Sequence, residues 1–215
     1  FVVFCVCSLL YGCKAEDPEN IGIDHETETM VSDMTEQNVT AGKPLTIWVA
    51  SDLHYLSQEL YDESPVFIKT LEQGDGKLTE RMPEILDIFV AQVLTARPDA
   101  LVLAGDLTFN GEVRSLRELA DRLNVVRTAG IPVLVIPGNH EAINYMPVSY
   151  RNGQMSGTEP ISRQSFWEIC GPFGYDQAVS RDELTFSYVY ELTDDVQLIL
   201  LDANLMEPGT EYVKG

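Results

Sequence analysis

Residues 100–106, ALVLAGD, combine an uninterrupted apolar run with a glycine and an aspartate at its end. A short apolar run of this kind, bounded by turn residues, indicates a strand that is buried on both faces of a parallel sheet. Asp106 then follows the carboxyl end of that strand, which is the edge where open α/β sheets place their ligand sites. The stretch therefore predicts both an α/β fold and the position of a functional carboxylate.

Two other strand-like runs end in the same way. The run at residues 45–51, LTIWVAS, leads into DLH at residues 52–54, and the run at residues 131–136, IPVLVI, leads into PGNHE at residues 137–141. We expect three adjacent strands to bring oxygen and nitrogen ligands to one edge of the sheet. Such an arrangement is half of a two-metal site.

Amphipathic periodicity predicts helices between these strands. In residues 80–96 the apolar side chains recur at helical spacing, with Thr79 at the N-cap position and Pro83 in the first turn, where a missing N–H costs little. Residues 112–129 repeat the pattern and end before Gly130. Alternation of strands and helices requires right-handed crossovers and gives a parallel sheet.

The remaining regions carry weaker patterns. We interpret residues 52–79 as a loop, and residues 141–182 as an excursion over the site edge with a short helix near 163–169. Residues 184–192 and 196–201 predict the two strands of a hairpin. The aromatic residues of the excursion either line a substrate cleft or pack the excursion onto the domain; they are Tyr145, Tyr150, Phe166, Trp167, Phe173 and Tyr175.

The charge balance limits the partners. The 215 residues include 34 acidic and 14 basic side chains, for a formal charge of −20. Such a charge disfavours nonspecific binding to nucleic acid or to an anionic membrane, so we expect no nucleic-acid partner. It also repels a phosphorylated substrate unless bound divalent cations reverse the sign locally. The alternative is that the acidic surface only serves solubility.

The N-terminal region predicts export. Residues 1–13 resemble the apolar core of a signal peptide, and their end, LYGC, resembles a bacterial lipobox in which Cys13 becomes lipidated. The alternatives are an ordinary signal peptide or the tail of a membrane helix. Residues 14–43 read as an acidic disordered tether, and residues 44–215 as the globular domain. Only Cys170 lies in that domain, so no disulfide framework is expected. We therefore expect an exported protein on the outer face of a bacterial cell membrane, attached by a lipid anchor if Cys13 is modified.

The three strand ends offer a chemically consistent ligand set. Asp52 and His54 are two residues apart, so in an extended segment both side chains point the same way. Asp106 has two oxygens and can bridge two ions about 3.5–4 Å apart. Asn139 offers a neutral oxygen, and His140 can bind phosphate or protonate a leaving alkoxide. Mixed oxygen and nitrogen ligands suit Mn²⁺, Fe or Zn²⁺ better than Ca²⁺.

In order and spacing, these motifs resemble the first three motifs of the calcineurin-like metallophosphoesterases, over roughly residues 45–204. The resemblance implies a four-layer α/β/β/α sandwich with two divalent metal ions between its sheets. It places Asp52 and His54 on the first ion and makes Asp106 the bridge. It places Asn139 on the second ion and makes His140 the catalytic acid. The implied reaction is in-line attack of a metal-activated hydroxide on the phosphorus of a phosphomonoester or phosphodiester.

One part of the family pattern has no counterpart here. The remaining metal ligands of the family are later histidines, in a Gly-His and a final Gly-His-x-His segment, whereas this sequence contains only His25, His54 and His140. We therefore expect the chain to be the N-terminal part of the domain, a fragment of a longer gene, rather than a degenerate member, and to be a poor catalyst by itself.

Three functional hypotheses follow. The first is an exported phosphoesterase, and the alternative is a non-enzymatic surface lipoprotein that uses the fold as a binding module. The third is a nuclease of the same family, which the acidic charge and the export signal disfavour. The substrate, the metal identity and the oligomeric state cannot be read from the sequence.

Overall fold

The computed structural model describes residues 44–74, 76–142 and 147–204. From Thr46 onward the described residues belong to one compact unit. The predicted signal peptide and tether, residues 1–43 with Cys13, lie outside the described residues, as does Tyr145. No helix in the described part of the chain is long and apolar enough to cross a membrane.

A three-stranded parallel sheet forms the centre of the domain. Its strands β1 (Ile47–Ala50), β2 (Ala100–Ala104) and β3 (Val133–Ile136) lie in the order β1-β2-β3. All five residues of β2 are buried, as its position between two neighbours requires. The sheet confirms the strands that the three apolar runs predict, with β1 and β3 shorter than the runs themselves.

Three helices connect these strands. Helices α1 (Pro65–Gln73) and α2 (Met82–Ala96) lie between β1 and β2, and α3 (Val113–Thr128) lies between β2 and β3. The predictions of α2 and α3 are confirmed, and Pro83 lies in the first turn of α2. The predicted N-cap is wrong, because Thr79 begins a 3-10 turn, Thr79–Arg81, that leads into α2. Helix α1 lies within the segment interpreted as a loop. It buries a single side chain, Phe67, and its nine residues are too few to show a sustained helical period.

The rest of the chain forms short elements around the sheet. They are α4 (Asn139–Ala142), the antiparallel pair β4 (Val148–Arg151) and β5 (Gln154–Gly157), α5 (Arg163–Cys170), β6 (Ser180–Arg181), β7 (Tyr188–Thr193) and β8 (Val196–Leu200). Strands β6, β7 and β8 make a second, antiparallel sheet. The predicted hairpin is therefore confirmed as β7–β8, and the mixed α/β class is that of a metallophosphoesterase-type fold.

Four aromatic side chains of the excursion are packing residues. Phe166, Phe173 and Tyr175 are buried in the main core, and Tyr150 is buried against Phe67 of α1. Val135 of β3 forms hydrogen bonds with the excursion and with β7. Its N–H donates to the Phe173 carbonyl at 3.1 Å, and its carbonyl accepts from the Tyr188 hydroxyl at 3.0 Å. The packing interpretation is confirmed for these four side chains.

Candidate metal centre

The segments that follow β1 and β2 run side by side and carry their polar residues to one place. The Asp52 N–H donates to the Gly105 carbonyl at 3.1 Å, and the His54 N–H donates to the Asp106 carbonyl at 3.0 Å. These bonds extend the pairing of the parallel strands by several residues. Asp52, His54 and Asp106 are thereby held at the carboxyl edge of the sheet.

The backbone of this edge is not extended. Asp52, His54 and Asp106 have φ angles of 58°, 43° and 49°, in the left-handed region that residues other than glycine rarely adopt. The prediction that Asp52 and His54 lie in an extended segment is therefore wrong. Their side chains nevertheless approach each other. Left-handed residues are disfavoured by about 1–2 kcal/mol each and persist where the surrounding structure holds them, commonly at functional sites.

The side chains of this edge are spaced as ligands of common ions. His54 Nε2 lies 3.8 Å from Asp52 Oδ1 and 3.9 Å from Asp106 Oδ2. These distances are too long for hydrogen bonds. They match the separation of about 3–4 Å between two atoms that each lie about 2.1 Å from one ion. His54, Asp106 and His140 each offer one ligand atom, and these atoms all lie within 4.8 Å of one another.

The electrostatics of His54 favour a neutral imidazole. Its pKa is lowered to about 4, mainly by burial, and the positive charges of Lys77 and His140 act in the same direction. The carboxylates of Asp106 and Asp52 oppose the shift. Its Nδ1 is buried and has no hydrogen-bond partner among the described residues. A neutral imidazole next to two carboxylates is a donor set that Mn²⁺, Fe and Zn²⁺ all accept, so these residues fit a divalent metal.

His140 is held by its backbone and by its ring. Its N–H donates to Asp106 Oδ1 at 3.1 Å, and its ring Nδ1 makes a short hydrogen bond to the Phe109 carbonyl. Because a carbonyl only accepts, Nδ1 carries the hydrogen of this bond. The ring stands edge-on to that of His54, with 4.5 Å between the ring centroids. The structure thus brings together the side chains of His54, Asp106 and His140.

The family model of the calcineurin-like phosphoesterases matches residues 45–202. The chain belongs to this family. No curated protein matches the chain. Family membership implies a hydrolase that acts on phosphate esters with the help of divalent metals.

Asp52 and Asn139 are the two remaining residues of the predicted set of metal ligands. The side chain of Asp52 is 65% exposed, and its Oδ1 lies 3.8 Å from His54 Nε2. Asn139 is half-buried and begins α4, directly after the loop that follows β3. Both therefore lie at the carboxyl edge of the sheet, and their roles as metal ligands stay predictions.

Two glycines allow the loops of the phosphoesterase site to touch. A Cβ on Gly138 would lie 2.1 Å from both the backbone nitrogen and Oδ1 of Asp106. A Cβ on Gly105, which has a φ of 88°, would lie 2.9 Å from the Gly138 Cα. No side chain fits between these backbones, so glycine is required for the loops to hold the Asp106 carboxylate where it is.

Sequence reasoning missed the role of Glu141. Its buried carboxylate accepts four hydrogen bonds: from the N–H groups of Leu107 (3.1 Å), Thr108 (2.8 Å) and Gly138 (2.9 Å), and from the Thr108 hydroxyl (2.7 Å). Burial raises the pKa of Glu141 to about 7, against the effect of these donors, and the charge of Asp106 adds to the increase. Glu141 therefore fastens the loop after β2 to the loop after β3. The available sequence signal was the position of Glu141 directly after His140 in the PGNHE motif.

Proposed function

We propose that this protein is a metal-dependent phosphoesterase that hydrolyses phosphomonoesters or phosphodiesters at a dinuclear centre. The observation that carries the proposal is the cluster of His54, Asp106 and His140, whose ligand atoms lie within 4.8 Å of one another at the joined ends of three strands. Mixed nitrogen and oxygen ligands of this kind, in a member of the phosphoesterase family, support metal-assisted ester hydrolysis.

Each residue has a proposed role. Asp52 and His54 would hold one ion, Asn139 would hold the second, and the carboxylate of Asp106 would contribute to both. Two bound divalent ions would supply the attacking hydroxide and neutralise the phosphoryl oxygens.

His140 is proposed to move the proton. Its Nδ1 donates to the Phe109 carbonyl, so the doubly protonated ring would give the proton of Nε2 to the leaving oxygen and become neutral. The hydrogen bond from the His140 backbone to Asp106 keeps the imidazole beside the ligand cluster. A positioned acid of this type contributes about 10²–10⁴-fold to the rate.

The test is hydrolysis of nitrophenyl phosphate, as the monoester and as the bis-ester, by the protein expressed from its gene. We expect turnover with Mn²⁺, Fe or Zn²⁺ that is lost on chelation and restored by added metal. Absence of turnover with all three metals would contradict the proposal. Metal and ester binding without turnover would instead favour the alternative, a non-enzymatic binding module.

We also propose that the protein is exported and anchored by a lipid on Cys13. The support is the apolar run of residues 1–13 and its lipobox-like end, together with a surface charge that suits an aqueous compartment. The test is incorporation of radiolabelled palmitate in a bacterial host. Label that persists unchanged in a Cys13→Ser variant would refute the assignment.

A further inference from the structure

The segment DAN at residues 202–204 follows strand β8 and has no role in the proposed chemistry. The carboxylate of Asp202 is buried and accepts the Phe186 N–H at 3.0 Å, and the Asp202 N–H donates to Ser187 Oγ at 2.9 Å. The same carboxylate accepts the backbone N–H of Asn204 at 3.0 Å and its side-chain amide at 2.7 Å. Asp202 therefore fixes Asn204, by backbone and side chain, to the residues that lead into β7.

The side chain of Asn204 also reaches the loop that follows β3. Its Nδ2 donates to the Pro137 carbonyl at 3.1 Å, in addition to its bond with Asp202. A carbonyl and a carboxylate only accept, so the amide nitrogen faces both of them and uses both of its hydrogens. One side chain thus links the end of the second sheet to the loop that carries Asn139 and His140.

The peptide between Pro137 and Gly138 is held at both of its polar groups. Its carbonyl accepts from Asn204 at 3.1 Å, and its N–H donates to the buried carboxylate of Glu141 at 2.9 Å. The peptide is trans, so these two groups point in opposite directions. The two bonds therefore hold the peptide from opposite sides and fix its orientation.

The orientation of this peptide matters for the metal centre. Gly138 lies so close to Asp106 that a Cβ on the glycine would be 2.1 Å from Asp106 Oδ1. Asn139 and His140 follow directly and begin α4, and the His140 N–H donates to the same Oδ1 at 3.1 Å. Rotation of the peptide would therefore displace the start of α4 relative to the Asp106 carboxylate.

We propose that Asn204 is a positioning residue of the metal centre, which holds the Pro137–Gly138 peptide and thereby keeps the start of α4 against Asp106. The inference rests on the proposed phosphoesterase function, because Asn139 and His140 are residues of that site. Asn204 touches neither the metals nor the ester and acts through the loop. Outer partners that orient metal ligands typically contribute about 10–100-fold to metal affinity.

The test compares the parent protein with Asn204→Ala and with a matched control, Tyr188→Phe. The control also removes a hydrogen bond between the second sheet and the region of β3, since the Tyr188 hydroxyl donates to the Val135 carbonyl, but this bond does not involve the loop. Amide hydrogen exchange of the metal-free proteins is followed by NMR at Gly138 and His140. Calorimetry then measures Mn²⁺ affinity, and urea unfolding measures the midpoint of each protein.

We expect the Gly138 and His140 amides of Asn204→Ala to exchange about 10-fold or more faster than in the parent, because local opening of the loop becomes easier. Mn²⁺ should bind to this variant about 10-fold or more weakly. Tyr188→Phe should show a similar shift of the urea midpoint, with the parent's exchange rates at both amides and the parent's Mn²⁺ affinity.

The possible failures are distinguishable. Unchanged exchange and unchanged Mn²⁺ affinity in Asn204→Ala would overturn the positioning role while the metal centre stands. Equal changes in Tyr188→Phe, or a urea midpoint of Asn204→Ala far below that of the control, would also overturn it, because Asn204 would then support the fold as a whole. If the parent binds no Mn²⁺, the proposed function fails and this inference fails with it, whatever the exchange rates show about the loop.

Discussion

Glu112, the residue before α3, provides a sharp test of the structure. Its side chain is fully buried, and neither carboxylate oxygen has a hydrogen-bond partner of ordinary geometry among the described residues. Burial raises its pKa to about 7, and the charge of Glu141 acts in the same direction. The nearby donors of Asn110 and Ser115 offset this only in part. The folded chain therefore keeps a proton on Glu112 at pH values where the unfolded chain releases it.

The magnitude follows from the two pKa values. A carboxyl group with a pKa of 4.5 in the unfolded chain and about 7 in the fold loses stability as the pH rises, because the unfolded state ionises first. The full effect is about 3.4 kcal/mol, and about 2.5 kcal/mol of it falls between pH 5 and pH 8. Glu112→Gln is neutral at every pH and nearly the same size. It removes this contribution and leaves the other titrating groups in place.

The assay is urea unfolding of the parent and of Glu112→Gln at pH 5 and pH 8. The free energy of unfolding of the variant, relative to the parent, should be higher at pH 8 than at pH 5 by about 2.5 kcal/mol. Glu72→Gln, at an exposed position on α1, is the control and should show the same relative stability at both pH values. An equal difference at pH 5 and pH 8 for Glu112→Gln would refute the reasoning.

Three further predictions concern the site. Glu141→Gln replaces one of two accepting oxygens by a donor, so at least one buried N–H loses its partner. Urea unfolding should show a free energy of unfolding lower by about 1–3 kcal/mol, and unchanged stability would contradict the four-bond arrangement. Gly138→Ala puts a methyl group 2.1 Å from Asp106 Oδ1, so the loops after β2 and β3 must separate. The Mn²⁺ affinity measured by calorimetry should fall about 10-fold or more, and an unchanged affinity would mean that this contact does not hold Asp106. His140→Gln should lower kcat by about 10²–10⁴-fold in steady-state kinetics, with a much smaller change in KM. A rise in KM of that size with no change in kcat would assign His140 to substrate binding instead.

The sequence predicts the central sheet well because the signals are local. Residues 100–104 form an unbroken apolar run, and the structure buries all of them in β2. Helices α2 and α3 show the 3.6-residue period of a helix with one buried face. Strand β5 had no such signal: residues 154–157 are all exposed, so no apolar alternation marks them.

The site could be predicted only as a set of residues. Asp52, His54 and Asp106 were identified because each follows an apolar run that predicts a strand, but their left-handed backbone was not foreseen. Neither aspartate nor histidine requires that conformation. It is imposed by hydrogen bonds between segments some 50 residues apart, such as that from the Asp52 N–H to the Gly105 carbonyl. The role of Glu141 was hidden for the same reason, because three of its four donors come from the loop after β2, more than 30 residues earlier.

The central claim, that Asp106 organises a metal centre for phosphate-ester hydrolysis, is tested most directly by one measurement. This is the Mn²⁺-dependent rate of nitrophenyl phosphate hydrolysis by the parent protein and by Asp106→Asn, with Asp194→Asn as control in the exposed turn between β7 and β8. We expect a rate that saturates with Mn²⁺ in the parent and in Asp194→Asn, and that falls about 100-fold or more in Asp106→Asn, because the residue proposed to bridge the ions loses its charge. Equal rates for Asp106→Asn and the parent would contradict the account.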